Sequence, residues 1–256
     1  MLLFVATHCL TDISGSDASF SSSFAGVLLG SGVAVWVLRS VSPGLGQLIP
    51  LYTASGPQWE KACSLADGDG RGSLVVADVQ QGPGTRPSPA WEKAIGSCGR
   101  RRAVVLGYVW TDYGRGGMIG LPSIERQVRA WYALYPGRIG GIFFDGVSDT
   151  VPGTSVSNQR LCHVLAGYVH SQQGAGQRVV LNFGDNPVSG WMFDGNPEQD
   201  ADLIVTFEGT YQTGSDRLVS WTLASWELQY PAGRWGFWIA ANHTVGSGLS
   251  ASCSSN

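Results

Sequence analysis

From Leu48 onward, short uninterrupted runs of apolar and often β-branched residues alternate with stretches whose apolar positions recur every three or four residues. That alternation predicts repeated βα units around a parallel sheet. Strands are expected to begin near Leu48 (LIPLYT), Ser73 (SLVVADV), Ala103 (AVVLGYV), Gly140 (GGIFFD), Arg178 (RVVLNF), Leu203 (LIVTFE) and Trp235 (WGFWIA). The runs are continuous rather than alternating, as in strands covered on both faces. Helices are expected over residues 58–65, 89–95, 123–134, 157–172 and 219–229. In the third of these, Ser123-Ile124-Glu125-Arg126 follows Pro122 like a helix start, and Ile124, Val128, Trp131 and Leu134 form one stripe.

Successive strand starts lie 25 to 38 residues apart, close to one eighth of a barrel of about 250 residues. The fold class expected is therefore α/β, a (β/α)8 TIM-barrel-like fold. A doubly wound open sheet competes less well, since no G-x-G-x-x-G follows the first strand. The spacing puts an eighth strand beyond Asn256, so the barrel is expected to be incomplete at its C-terminal end. Either Val33–Leu38 (VAVWVL) fills the vacant place or the seam stays open. Residues 1–46 form an extension, a signal or anchor segment or a disordered one, and residues 47–256 form the barrel.

Composition narrows the partners. A net charge of −3 with no basic stripe offers no electrostatic footprint for nucleic acid. With 36 Gly and 10 Trp against a charged fraction of only 14%, the chain reads as apolar strands joined by tight turns, with aromatics left for a surface or cleft. The apolar runs Met1–Leu10 and Phe24–Leu38 are short for a membrane span. Either could be the core of a secretory signal, and membrane contact is expected only if such a run is an anchor. With the sequon Asn242-His243-Thr244, this gives an expectation of a secreted or cell-surface protein.

The five cysteines include no CxxC pair and no nearby histidine ligands, so no metal site is expected. Cys63 and Cys98 fall in or just after neighbouring helices, which leaves a disulfide and two separate buried thiols both open. His163 and His170, seven residues apart on one helix, read as outer-surface residues. Trp221, Trp226, Trp235 and Trp238 could line a saccharide cleft or pack beneath the last strand.

In a (β/α) barrel, chemistry sits on the loops after the strands. The residues at these ends are Tyr52, Asp78, Tyr108 with Trp110, Asp145, Asn182 and Glu208. Asp145 and Glu208 stand out, because each ends an apolar run with a carboxylate. Two acids, an amide and several aromatics suit a sugar, whose C–H face rests on aromatic rings while its hydroxyls bond amides and carboxylates. Asp78 could bind substrate or start the turn Gln80-Gln81-Gly82-Pro83-Gly84. Gly114-Arg115-Gly116-Gly117 could be an anion nest or a plain loop.

These strand ends resemble the spherulin 4-like, or spherulation-specific, family over about residues 47–240. The matching pieces are LIPLY at 48–52, Gln81-Gly82-Pro83-Gly84, the run Gly107-Tyr108-Val109-Trp110-Thr111-Asp112-Tyr113-Gly114, GIFFD at 141–145, VVLN at 179–182, and Phe207-Glu208 with Tyr211. The resemblance implies a glycoside hydrolase barrel that needs no cofactor and cleaves α-1,4-linked galactosamine or N-acetylgalactosamine polymers such as galactosaminogalactan. It carries the family's acids onto Asp145 and Glu208, and Tyr211 joins the substrate-binding set. The chain departs from the pattern at Gly146, where a glutamate usually follows the aspartate, and at Trp110, where histidine often precedes the threonine. Its final βα unit is also unlike the pattern.

One carboxyl must donate a proton to the leaving oxygen while the other stays ionised to attack carbon or activate water. The short Asp145 suits the nucleophile or charge stabiliser and the longer Glu208 the general acid/base, although the roles could be exchanged. The alternative function is a non-catalytic carbohydrate-binding or cell-surface protein on the same barrel, which the glycine at position 146 favours.

Overall fold

The computed structural model describes residues 3–6, 21–29, 33–39, 48–68, 73–99, 103–155, 157–172, 176–193, 200–210, 222–230, 234–240 and 250–252. Six parallel strands form its centre: β4 (Leu48–Leu51), β5 (Leu74–Ala77), β6 (Val104–Trp110), β7 (Gly141–Asp145), β8 (Arg178–Asn182) and β9 (Leu203–Thr210). They pair in sequence order, and β10 (Trp235–Ala240) continues the sheet in parallel beyond β9. All seven strands lie where the apolar runs place them.

The helices are α1 (Gly56–Gly68), α2 (Pro89–Cys98), α3 (Gly117–Leu134) and α4 (Gln159–His170). Each of the four follows one of the first four parallel strands, so the right-handed βα repeat holds that far. Ser123 is not the start of α3, which begins six residues earlier and carries Pro122 inside it. Beyond β8 the repeat lapses. Between β8 and β9 the described residues hold only a 3-10 turn, Trp191–Phe193, and in place of the helix expected near 219–229 they hold a 3-10 turn, Glu227–Gln229.

The eighth place corrects a second expectation. It is taken by β1 (Leu3–Ala6), which runs antiparallel to β10 with Leu3 opposite Ala240. Val33–Leu38 is indeed extended, within β3 (Val33–Arg39), but its edge is satisfied by β2 (Ser21–Leu29), with β11 (Ser250–Ser252) completing a separate three-stranded sheet. A hairpin between sequence neighbours closes a short loop, whereas docking on β10 would close one of about 200 residues. The architecture is thus an α/β barrel-like curl and not a complete (β/α)8 barrel: one place is antiparallel, and no ladder joins β1 to β4 among the described residues.

Strand alternation sorts the core into two layers. Leu48, Leu74, Val76, Leu106, Phe143, Val180 and Val205 form a cluster of strand residues only, which fills the inside of the curl. Ile49, Val75, Val105, Ile142, Phe144, Val179, Leu181 and Ile204 face the other way and meet helix residues such as Trp59, Ile95, Val128, Trp131 and Leu165. Gly107 lets α3 approach: a Cβ there would lie 2.5 Å from the Trp131 ring, whose indole N–H donates to the Tyr108 carbonyl at 2.8 Å. A Cys63–Cys98 disulfide ties α1 to α2, so the bridged alternative holds for that pair. Cys162 is a buried free thiol on α4, pushed up to about 12 by burial, with the charges of Asp200 and Asp149 adding to the shift.

Candidate active site

The inner-layer parity carries straight to the strand ends. Tyr108, Asp145 and Asn182 continue the inward set of Leu106, Phe143 and Val180, so their side chains meet at the C-terminal mouth. The Tyr108 hydroxyl donates to Asp145 Oδ2 at 2.7 Å. Asn182, buried at 2% exposure, donates from Nδ2 to Asp145 Oδ1 at 2.6 Å and to Glu208 Oε2 at 3.0 Å. Its own Oδ1 accepts the Gly184 N–H at 3.0 Å, which fixes the amide's orientation.

Glu208 reaches this cluster by a different route. Plain alternation on β9 would put Glu208 on the side of Ile204, facing the helices. The pairing with β10 slips by one between Val205 and Phe207, so Thr206 is an extra, bulged residue. Past it Phe207 takes the helix side and Glu208 turns inward, where the Glu208 N–H bonds the Gly184 carbonyl at 3.0 Å. Beneath the bulge lies Glu227, wholly buried, whose Oε2 accepts the Ala224 N–H at 2.6 Å. The Thr206 hydroxyl faces this carboxyl without a well-formed hydrogen bond. The sequence reading missed both the bulge and Glu227, and an ordinary Val-Thr-Phe run carries no signal for either.

Asp78 and Tyr52 complete the mouth. Asp78 Oδ1 accepts the Gly82 N–H at 3.0 Å, so it does start the turn, as one of its two readings had it. It also faces the site: its charge acts on Tyr52 and Tyr108, and Asp145 acts on it. Tyr52, 47% exposed, feels the charges of Asp145, Asp78 and Glu208, and its hydroxyl is raised first by burial and then by these three. Tyr108 is raised by burial, then by the charge and hydrogen bond of Asp145. Burial likewise raises the Glu208 carboxyl, the Asn182 hydrogen bond opposes this, and the Asp145 charge adds to it. Among the described residues none of the three acids has an ion-pair partner, and no group of three His, Cys, Asp or Glu is placed to hold a metal ion.

Trp110 sits at the rim, opposite Asp145 in the β6–β7 register. Its ring lies over Gly146, where a Cβ would come within 2.5 Å of the indole and where φ is +65°. Trp110 and Gly146, the two positions that depart from the expected pattern, therefore lie against each other. The Thr111 hydroxyl lies 2.9 Å from the Asp145 carbonyl and 2.6 Å from that of Gly146, and the Thr111 N–H also donates to the former at 2.9 Å, which locks the segment carrying the aspartate. Asp149 accepts the Val188 N–H at 2.6 Å and the Trp191 indole N–H at 2.8 Å, hanging the loop after β8 on the loop after β7.

The remaining candidates divide into those that the structure describes and those that it does not. Tyr211, Trp221 and the sequon at Asn242 lie outside the described residues. Trp226 is buried and donates to the Pro187 carbonyl at 3.0 Å, so it packs. His163 is exposed on α4 and pairs with Asp200 at 2.8 Å. Arg115 pairs with Asp112 at 3.3 Å and caps the Tyr113 ring, which gives the Gly114–Gly117 loop no anion-binding arrangement.

Against known proteins, the crystal structure of Aspergillus clavatus Sph3 in complex with GalNAc superimposes with a TM-score of 0.53 at 24% identity. The match covers 64% of this chain and 65% of that one, just under two thirds of its length, and at this identity it establishes the shared fold. No curated protein matches the chain in sequence. The model of spherulation-specific family 4 matches residues 47–244. That span runs from the first parallel strand past the last and holds every residue of the mouth, and the protein belongs to this family.

Proposed function

We propose that the protein is a glycoside hydrolase that cuts an α-1,4-linked galactosamine or N-acetylgalactosamine polymer with Asp145 and Glu208. The observation that carries this reading is the Asn182 amide bridging both carboxylates. Because one nitrogen contacts an oxygen of each, those two oxygens stand within about 6 Å of one another. That fits the roughly 5 Å of a retaining pair better than the ~6.5–9.5 Å that leaves room for a water in an inverting one.

The environments separate the roles. Asp145 accepts two short hydrogen bonds, from Tyr108 and Asn182, which suit an ionised nucleophile. Glu208 is raised by burial and by the neighbouring negative charge, which suits a proton donor. In the first step Asp145 attacks the anomeric carbon as the glycosidic bond breaks, and the Glu208 proton goes to the leaving oxygen. In the second, Glu208 takes a proton from water as its oxygen displaces Asp145, regenerating both groups. An acidic mouth with no ion-pair partner among the described residues favours a substrate bearing amines, and a complex of GalNAc with the fold relative is consistent with an amino sugar. A secreted or surface location follows from the proposed substrate, and the Cys63–Cys98 bridge suits an oxidising compartment.

The second reading, a carbohydrate-binding protein without catalysis, draws on Gly146, which offers no side chain beside Asp145. Reducing-end release from acetylated and deacetylated galactosaminan, measured for the wild type and Asp145→Asn, decides between them. The hydrolase reading expects release that the substitution abolishes. Tight polymer binding with no release by either protein would establish the binding role instead.

A further inference from the structure

Among the described residues, the exposed large aromatic side chains are Tyr52, Trp110 and Tyr113, and all three stand at the mouth. Tyr52 lies among the acids. The other two form a separate ridge on the Asp145 side, their rings edge-to-face with centroids 5.2 Å apart.

Nothing in the packing of the barrel requires this ridge to be exposed, yet the backbone is strained to keep it there. Asp112 and Tyr113 both adopt φ of +53°, a left-handed conformation unfavourable for residues with a Cβ. The strain is held by bonds from outside the turn. The Tyr113 N–H donates to the Gly146 carbonyl at 2.6 Å, and the buried Asn158 amide donates to the Tyr113 carbonyl at 3.0 Å. The Arg115 guanidinium sits 5.5 Å from the centre of the Tyr113 ring, and no hydrogen bond engages the Tyr113 hydroxyl among the described residues. Gly146 serves both halves: its carbonyl anchors Tyr113, and its missing side chain leaves the space that the Trp110 indole covers.

We propose that Trp110 and Tyr113 are the aromatic wall of a second sugar subsite, taking the pyranose next to the one held between Asp145 and Glu208, and that Gly146 is the condition for it. The inference rests on the saccharide reading above but not on catalysis. The ligand is a neutral or amine-bearing pyranose whose C–H face lies on the indole, and an amine on that ring is further held by the π-face. Two rings fixed before the ligand arrives lose little freedom on binding.

The test uses the full chain carrying Asp145→Asn, so that no ligand is cut, titrated calorimetrically with N-acetylgalactosamine and with α-1,4-linked oligomers of two to six residues. Affinity is expected to rise at least tenfold from the monosaccharide to the dimer or trimer. Trp110→Ala and Tyr113→Ala should erase that rise and change monosaccharide affinity less than twofold. Gly146→Ala should act like Trp110→Ala, because its Cβ displaces the indole, and Trp110→Phe should restore part of the rise. Circular dichroism checks that each variant is folded. Equal losses for monosaccharide and oligomers, or an unchanged rise in Trp110→Ala, would overturn the subsite. Its failure is distinct from that of the hydrolase reading: a wild type that binds oligomers through the ridge but cuts none keeps the subsite and loses the enzyme.

Discussion

The amide of Asn182 is the smallest unit on which the site depends. Its two N–H bonds reach the two acids and its oxygen is fixed by Gly184, so Asn182→Ala removes a shared donor without touching either carboxyl. A drop in kcat of roughly 10²–10³ is expected, the range for losing one positioned donor. The bond from Asn182 lowers the Glu208 carboxyl, so its loss should move the alkaline limb of the kcat profile to higher pH. A pH–rate series on wild type and variant checks both. Glu208 also predicts a stability effect. Its carboxyl is raised in the folded chain, so its contribution is fully present below the unfolded value of about 4.3 and is lost as pH rises through the folded value. Glu208→Gln should therefore melt higher than the wild type at pH 7 and equally at pH 4, by differential scanning fluorimetry. At this scale the sequence was informative wherever a strand end was regular: Tyr52, Asp78, Tyr108, Asp145 and Asn182 all face the mouth by simple alternation. The contact between Trp110 and Gly146 joins residues from two strands, and no run of neighbouring letters displays it.

Among the elements, the bulge in β9 matters most, because one extra residue decides which face Glu208 takes. Deleting Thr206 removes the extra residue and leaves plain alternation to carry Phe207 to the helix side and Glu208 to the mouth, still opposite Trp238. Hydrolysis should therefore persist and the circular dichroism spectrum should stay near that of the wild type; loss of all release would contradict the assignment of Thr206 as the bulged residue. Thr206→Val keeps the residue count and removes a buried hydroxyl that faces Glu227 without a well-formed hydrogen bond among the described residues, so it should keep activity within about threefold. Both are read by reducing-end assay. The Cys63–Cys98 bridge closes a 35-residue separation between α1 and α2, a constraint on the unfolded chain worth about 4 kcal/mol in the entropy model. The double variant Cys63→Ser/Cys98→Ser should melt on the order of 10 °C lower, and the wild type in reductant should approach it. The strands and first four helices were legible because apolar periodicity is local. The early start of α3 was not, since Gly117–Gly120 is poor helix-forming sequence, and neither was the 3-10 turn that the described residues 222–230 hold in place of a helix, where Trp226 packs against Tyr230.

At the level of the whole molecule, the spacing of the βα units pointed to the curl and the vacant eighth place, and left open whether Val33–Leu38 fills it or the seam stays open; β1 takes the place beside β10, and no ladder closes the seam between β1 and β4 among the described residues. Both Leu3–Ala6 and Val33–Arg39 are apolar enough to pair. Which one meets β10 depends on a contact across more than 200 residues, which local pattern does not encode. Asp145 and Glu208 hang on β7 and β9 and are bridged from β8 between them. The two acids are accordingly expected to act as one unit. Initial rates of reducing-end release from α-1,4-linked galactosaminan should fall by roughly 10³ or more for Asp145→Asn and for Glu208→Gln, and the double variant should be little worse than either alone. Losses that multiply in the double variant, or a single substitution that leaves release intact, would contradict it.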